Sequence, residues 1–123
     1  MNQKRYTSLS SRPILAISFF RTPEGREPVR EWLQGLPESD RRLIGNEIRL
    51  LQFGWPLGMP LVRKLEPNLW EIRVRTGSGN ARLLFSLAED TAILLHAFMK
   101  KSQKTPLQDL QLARTRRSWL TGG

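Results

Sequence analysis

Between Leu69 and Met99 the chain reads LWEIRVRTGSGNARLLFSLAEDTAILLHAFM, and this stretch constrains the fold more than any other. LWEIRVR (69–75) alternates: Leu69, Glu71, Arg73 and Arg75 share one side, and Trp70, Ile72 and Val74 share the other, which is the two-residue period of a strand. TGSGN (76–80) supplies a turn, ARLLFSL (81–87) returns, AED (88–90) turns again, and TAILLHAFM (91–99) is the most apolar strand. Links this short cannot carry a crossover, so the strands form an antiparallel meander.

The flanking segments add helices. ILAISFF (14–20), bounded by Pro13 and Thr22-Pro23, reads as a first, well-buried strand. PVREWLQGL (28–36) opens on a proline suited to a first helical turn and spaces Val29, Trp32, Leu33 and Leu36 at helical intervals. A second helix is expected from near Ser39 to Gly54, with Leu43, Ile44, Ile48, Leu50 and Leu51 on its buried face; the link 35–38 makes the two a helical hairpin. LVRKLEP (61–67) is a short strand or the approach to one. In the last segment, 105–120, Thr105 is placed to cap a helix, Pro106 to open it and Gln108 to complete a capping box, with Leu107, Leu110, Ala113 and Leu120 as the buried stripe. Asp109 near the start of this helix and Arg114, Arg116 and Arg117 near its end suit the helix dipole. The expected fold is α+β: an antiparallel twisted sheet of four to five strands, an N-terminal helical hairpin and a C-terminal helix. It forms one domain over 14–120, behind a flexible arm over 1–13.

Composition narrows the chemistry. The 20 Lys and Arg residues against 11 Asp and Glu give a formal charge of +9 on 123 residues, which favours a polyanionic partner. With no cysteine there is neither a disulfide framework nor a thiolate metal site, and the single histidine, His96, cannot build a His-rich centre. Glu66 with Glu71, and Glu89 with Asp90, lack any accompanying motif for a two-carboxylate or metal mechanism, so no metal and no cofactor are expected. The apolar runs 14–20 and 92–95 fall short of the roughly 20 residues of a membrane span, and 1–13 is polar and basic rather than a secretory leader. The cytoplasm is the default compartment.

A hairpin symmetric about Ser78 and Gly79 would set Arg75 opposite Arg82 with Arg73 diagonally adjacent. Three arginines on one face repel each other, and Glu71 can neutralise only one of them. One reading is an anion site, since the arginine fork matches phosphate oxygens; the other is a solvated outer face. HAFMKKSQKTP (96–106) sharpens the question, because Lys100, Lys101 and Lys104 leave the most apolar strand within five residues. With Arg73 and Arg82 they would line a basic groove suited to a phosphodiester, and a lysine crowded by cations has a depressed pKa useful in acid–base chemistry. RNA brings its own nucleophile, the 2′-hydroxyl, so such a groove could cleave RNA without a metal. The alternative is a charged loop that merely flanks a helix. His96, with the parity of Leu94 and Phe98, is either a packed core histidine or a proton relay facing the groove. Trp32 and Trp70 read as core. Trp55 and Trp119 are open to packing or to stacking on a base.

These residues also carry a resemblance. PLGMPLVRKLEPNLWEIRVRTGSGNARLLFSL, followed by ILLHAFMKKSQKTPLQDLQLAR, resembles the phage-derived, HigB-like branch of the RelE/ParE toxin superfamily over roughly 56–117. The resemblance implies a RelE-like microbial RNase fold and the toxin of a type II toxin–antitoxin system, a ribosome-dependent mRNA endoribonuclease that cuts in the 30S A site and so inhibits translation. It implies that Arg73 and Arg82 bind phosphate in the transition state, that Lys100, Lys101 and Lys104 support acid–base chemistry, and that Lys64 and Arg75 contact RNA. The chain lacks the C-terminal tyrosine that some RelE-type members use, which leaves that role to His96 or a lysine. The implied partner is a cognate antitoxin, an acidic or a helix-turn-helix DNA-binding protein, which would cover the groove or the helical hairpin and through which alone the pair would reach operator DNA. Two other readings compete: a non-enzymatic, ParE-like gyrase poison, and an RNA- or ribosome-binding module without turnover.

Overall fold

The meander forms as its alternation requires, and the remaining elements pack on its two faces. The computed structural model describes residues 12–56, 61–101 and 104–120, so most of the expected arm, residues 1–11, lies outside the described residues. In chain order the elements are β1 (Ala16–Phe19), α1 (Pro28–Gln34), α2 (Glu38–Gly54), β2 (Val62–Glu66), β3 (Leu69–Thr76), β4 (Gly79–Ala88), β5 (Thr91–Lys100) and α3 (Leu107–Leu120). The five strands form one sheet in the order β1-β5-β4-β3-β2. The fold is α+β, consistent with the RelE-like architecture.

Four strands run antiparallel as expected, but β1 adds to β5 in parallel, pairing Ala16 with Thr91 and Phe19 with Leu94, so the sheet is mixed. The reason is connectivity: the chain between β1 and the meander crosses a sheet face as the α1–α2 hairpin, and a crossover connection permits parallel pairing. β1 is also an edge strand of partly exposed residues rather than a buried one; the buried side chains are Leu15 and Phe20 just outside it.

Each sheet face carries its own apolar cluster. Under the hairpin, Val29, Ile44 and Leu51 meet Ile72, Val74, Ala81, Leu83, Phe85, Leu94 and Ala97, all buried. Trp32, Trp55 and Trp70 pack at this core, with Trp70 stacked on Phe85 and Trp55 edge-on to both. On the other face, Leu69, Leu84 and Leu95 pack beneath Ala113 and Leu110 of α3. The stripes differ from the sequence reading in detail. Leu43 and Leu50 of α2 face outward, as do Leu107 (63% exposed) and Leu120 of α3. Polar contacts hold α3 instead: Glu66 accepts from Arg114 at 2.7 Å and lies 2.8 Å from Arg117, and the Leu95 carbonyl accepts from Arg116 at 2.8 Å. No helix among the described residues is long and apolar enough to cross a membrane.

Two backbone features place the side chains discussed next. The β3–β4 turn is centred on Gly77 and Ser78, not on Ser78 and Gly79: Thr76 pairs with Gly79 and Arg73 with Arg82. The Thr76 hydroxyl donates to the Gly79 carbonyl and accepts from the Ser78 N–H, while the Gly77 N–H donates to the buried Asp40 carboxylate of α2 at 3.1 Å. Gly79, at φ +140°, occupies backbone space that side chains rarely tolerate. The second feature is a bulge in β5. Leu84 pairs with His96 but Phe85 pairs with Leu94, leaving Leu95 as the extra residue. A bulge shifts the in–out alternation by one, so Leu95 and His96 both face α3, and Phe98 and Lys100 follow them onto that side. Arg116 satisfies the carbonyl of the extra residue.

Candidate functional site

The sheet face toward α3 is organised in rows across the strands. Arg75, Asn80 and Lys100 form the outermost row; Arg73, Arg82 and Phe98 the next; Arg63, Glu71, Leu84 and His96 the third. An open groove of about 900 Å³ runs along the basic end of these rows. Arg73, Arg75, Asn80, Arg82, Lys100 and Lys101 line it, together with Leu61 and with Glu47 and Leu50 of α2.

The row arithmetic explains why arginines can be tolerated there. Arg73 stands directly opposite Arg82, an arrangement that costs energy in a sheet. The compensation is Glu71, two residues along β3 and fully buried, whose Oε1 lies 3.6 Å from Arg82 Nε. Arg82 is only 6% exposed and donates through Nη1 to the Ala81 carbonyl at 3.0 Å. Burial pushes the Arg82 guanidinium below its ordinary pKa, Glu71 pulls it back up, and Arg73 adds a smaller push down. Lys100 is half-buried, and burial followed by the Arg82 charge lowers its ammonium from the ordinary lysine value. Glu71 opposes that shift, while Arg73 and Arg63 reinforce it. A lysine depressed in this way exchanges its proton closer to neutral pH, as acid–base chemistry needs.

Of the residues singled out from sequence, Arg73, Arg75, Arg82, Lys100 and Lys101 gather at the groove. Lys104, exposed on the way into α3, is not among the lining residues. Lys64 sits on the other sheet face: it pairs with Trp70 and holds its ammonium 5.5 Å from the Trp70 ring. Arg63, one residue earlier and opposite Glu71, takes the groove side instead. His96 turns toward α3, where its Nε2 is hydrogen-bonded to Asp109 Oδ1 at 2.6 Å and its ring stacks on Phe98. The parity with Leu94 expected for His96 is undone by the bulge at Leu95. Thr105 does not cap α3. Its hydroxyl donates to Glu71 Oε2 at 2.8 Å, and the helix opens instead with the Leu110 N–H bonded to the Pro106 carbonyl.

Sequence reading missed three contributors: Arg63, Thr105 as a partner of Glu71, and Asp40 as the anchor of the β3–β4 turn. Arg63 was within reach, because strand parity through Val62 and Lys64 assigns it to the face opposite theirs. The other two depend on long-range contacts that leave no local pattern. Among the described residues no three His, Asp or Glu side chains gather as they would around a metal ion. The acids are otherwise engaged, Glu66 with Arg114 and Arg117, and Glu71 with Thr105 and Arg82.

A family model described as "Phage derived protein Gp49-like (DUF891)" matches residues 31–118, from within α1 almost to the end of α3. No curated protein matches the chain.

Proposed function

Because the chain belongs to the Gp49-like family of phage-derived proteins, within the RelE/HigB-like toxin superfamily, we propose that it is a HigB-like, ribosome-dependent mRNA endoribonuclease. The observation that carries this reading is the groove: Arg73 opposite buried Arg82, with Lys100 and Lys101 beside them and, among the described residues, Glu47 as the one acid in the lining. Two arginines facing each other across one rung of the ladder offer paired donors to non-bridging phosphate oxygens. In the proposed reaction the 2′-oxygen attacks the adjacent phosphorus while neutral Lys100 accepts the 2′-hydroxyl proton. The P–O5′ bond breaks as the Lys101 ammonium gives a proton to the departing O5′. Arg73 and Arg82 stabilise the charge that builds on the phosphate in between. The products end in a 2′,3′-cyclic phosphate and a 5′-hydroxyl.

A toxin-like family implies an antitoxin partner. In this proposal the partner is a helix-turn-helix protein that carries the pair to operator DNA, while the toxin itself acts on mRNA in the 30S A site, in the cytoplasm. Induction in a bacterial host is expected to arrest growth and to leave mRNA ends mapping within codons, and the Arg73→Ala/Arg82→Ala double variant is expected to do neither. Retained cleavage in that variant removes the site assignment. DNA double-strand breaks with intact mRNA would replace the nuclease by the gyrase-poison reading, and salt-sensitive RNA binding without turnover would replace it by the binding module.

A further inference from the structure

The Glu71 carboxylate lies among Arg63, Arg73, Arg82 and Lys100 on the sheet face toward α3. Its Oε2 is taken by the Thr105 hydroxyl at 2.8 Å. Its Oε1 faces Arg82 Nε at 3.6 Å, beyond hydrogen-bond reach, and both atoms are buried without another partner. The two buried atoms of opposite charge thus face each other as an ion pair without a hydrogen bond between them. Charge therefore aims Arg82 without a fork committing it, and a hydroxyl from the turn leading into α3 fixes where that charge sits.

We propose that Glu71 and Thr105 form the positioning device of the groove: Thr105 fixes the Glu71 carboxylate, and Glu71 holds the Arg82 guanidinium opposite Arg73 and beside Lys100. This rests on the reading of the groove as a phosphodiester site and adds residues that touch no substrate. It also links two neighbouring parts of the chain, since Lys100 ends β5 and Thr105 lies just before α3. The strand end and the helix start are thereby tied to the same carboxylate.

The test uses the full chain, with messenger-programmed ribosomes as substrate. Glu71→Gln keeps the shape and an acceptor for Thr105 but removes the charge. Thr105→Val removes the hydroxyl at nearly constant volume, and Thr105→Ser restores it. Glu71→Gln and Thr105→Val are each expected to lower kcat about a hundredfold with KM little changed, because a shift of about an ångström in a catalytic group costs that much. Thr105→Ser is expected to recover most of the rate. Glu71→Gln is further expected to move the Lys100 limb of the pH–rate profile to lower pH, since the one charge that raises the Lys100 pKa is gone while Arg82, Arg73 and Arg63 still lower it. Thr105→Val, which keeps the charge, should leave that limb in place. A part played only in stability would lower the melting temperature and move no pH limb. Wild-type kcat and an unmoved limb in Glu71→Gln overturn the proposal. If the wild-type chain itself cleaves nothing, the functional reading falls and the positioning is judged from the Arg82 Nε–H resonance of the free protein. A changed shift or linewidth in both Glu71→Gln and Thr105→Val supports it, and an unchanged resonance overturns it.

Discussion

Arg82→Ala is expected to reduce RNA cleavage by about 10²–10³-fold and to lower stability in the same stroke. The catalytic loss follows from removing one of the two guanidinium groups that face each other across the β3–β4 ladder. The stability loss has a different origin. Glu71 is completely buried, and Arg82 Nε is the cation that its Oε1 faces, so the substitution removes the buried partner of that oxygen. Leaving one member of a buried ion pair uncompensated costs about 3 kcal/mol, or a fall in Tm on the order of 10 °C for a chain of this size. The two losses separate in the double variant Arg82→Met/Glu71→Gln, in which neither charge is left buried alone. Thermal melts are expected to recover there while cleavage does not, because uncharged replacements of a buried pair are often tolerated. Recovery of cleavage along with stability would mean that Arg82 serves the fold and not the reaction.

Phe85→Ala is expected to be the most destabilising single change among the described aromatic residues, at about 3–5 kcal/mol. Phe85 is fully buried, stacks on Trp70 at 5.6 Å and meets the edge of Trp55 at 5.9 Å. Its removal opens a cavity in the core under the α1–α2 hairpin, where Trp55, just past the end of α2, meets β3 and β4. Neighbouring rings cannot collapse into such a space without breaking their own contacts. Urea unfolding of this variant is compared with Trp119→Ala. Trp119 is 49% exposed and touches Phe20 in a tilted pair, so its loss is expected to cost about 1 kcal/mol or less. Equal midpoints for the two variants would show that the aromatic cluster is not the keystone of this face.

The parts of the site legible in the sequence are those governed by local periodicity. Alternation in LWEIRVR assigns Glu71, Arg73 and Arg75 to one face, and one short turn brings Arg82 onto it. The hairpin register differs by two residues from the symmetric one expected, which leaves every face assignment intact because the strand period is two. It does change the partner: Arg73, not Arg75, stands opposite Arg82. The bulge at Leu95 has no local signature, yet it sends Lys100 to the α3 side with Arg82 and sends His96 away from the parity of Leu94. A threonine before Pro106 satisfies the local rule for a helix cap, and a buried carboxylate 34 residues earlier takes its hydroxyl instead. The parallel pairing of β1 depends on the path of the hairpin across the sheet, which no property of residues 14–20 encodes. Leu43, Leu50 and Leu107 were assigned to buried stripes because periodicity counts apolar residues without knowing which stripe meets a neighbour.

The account stands on RNA supplying its own nucleophile to an arginine–lysine groove. The most direct measurement uses a ribosome-bound message with a single 2′-deoxy nucleotide immediately 5′ of the mapped cut. The message should stay intact at that phosphate, while the all-ribose control is cut to a 2′,3′-cyclic phosphate and a 5′-hydroxyl. Cleavage of the 2′-deoxy message at the control rate would contradict the account, since the attacking oxygen would then have to come from elsewhere.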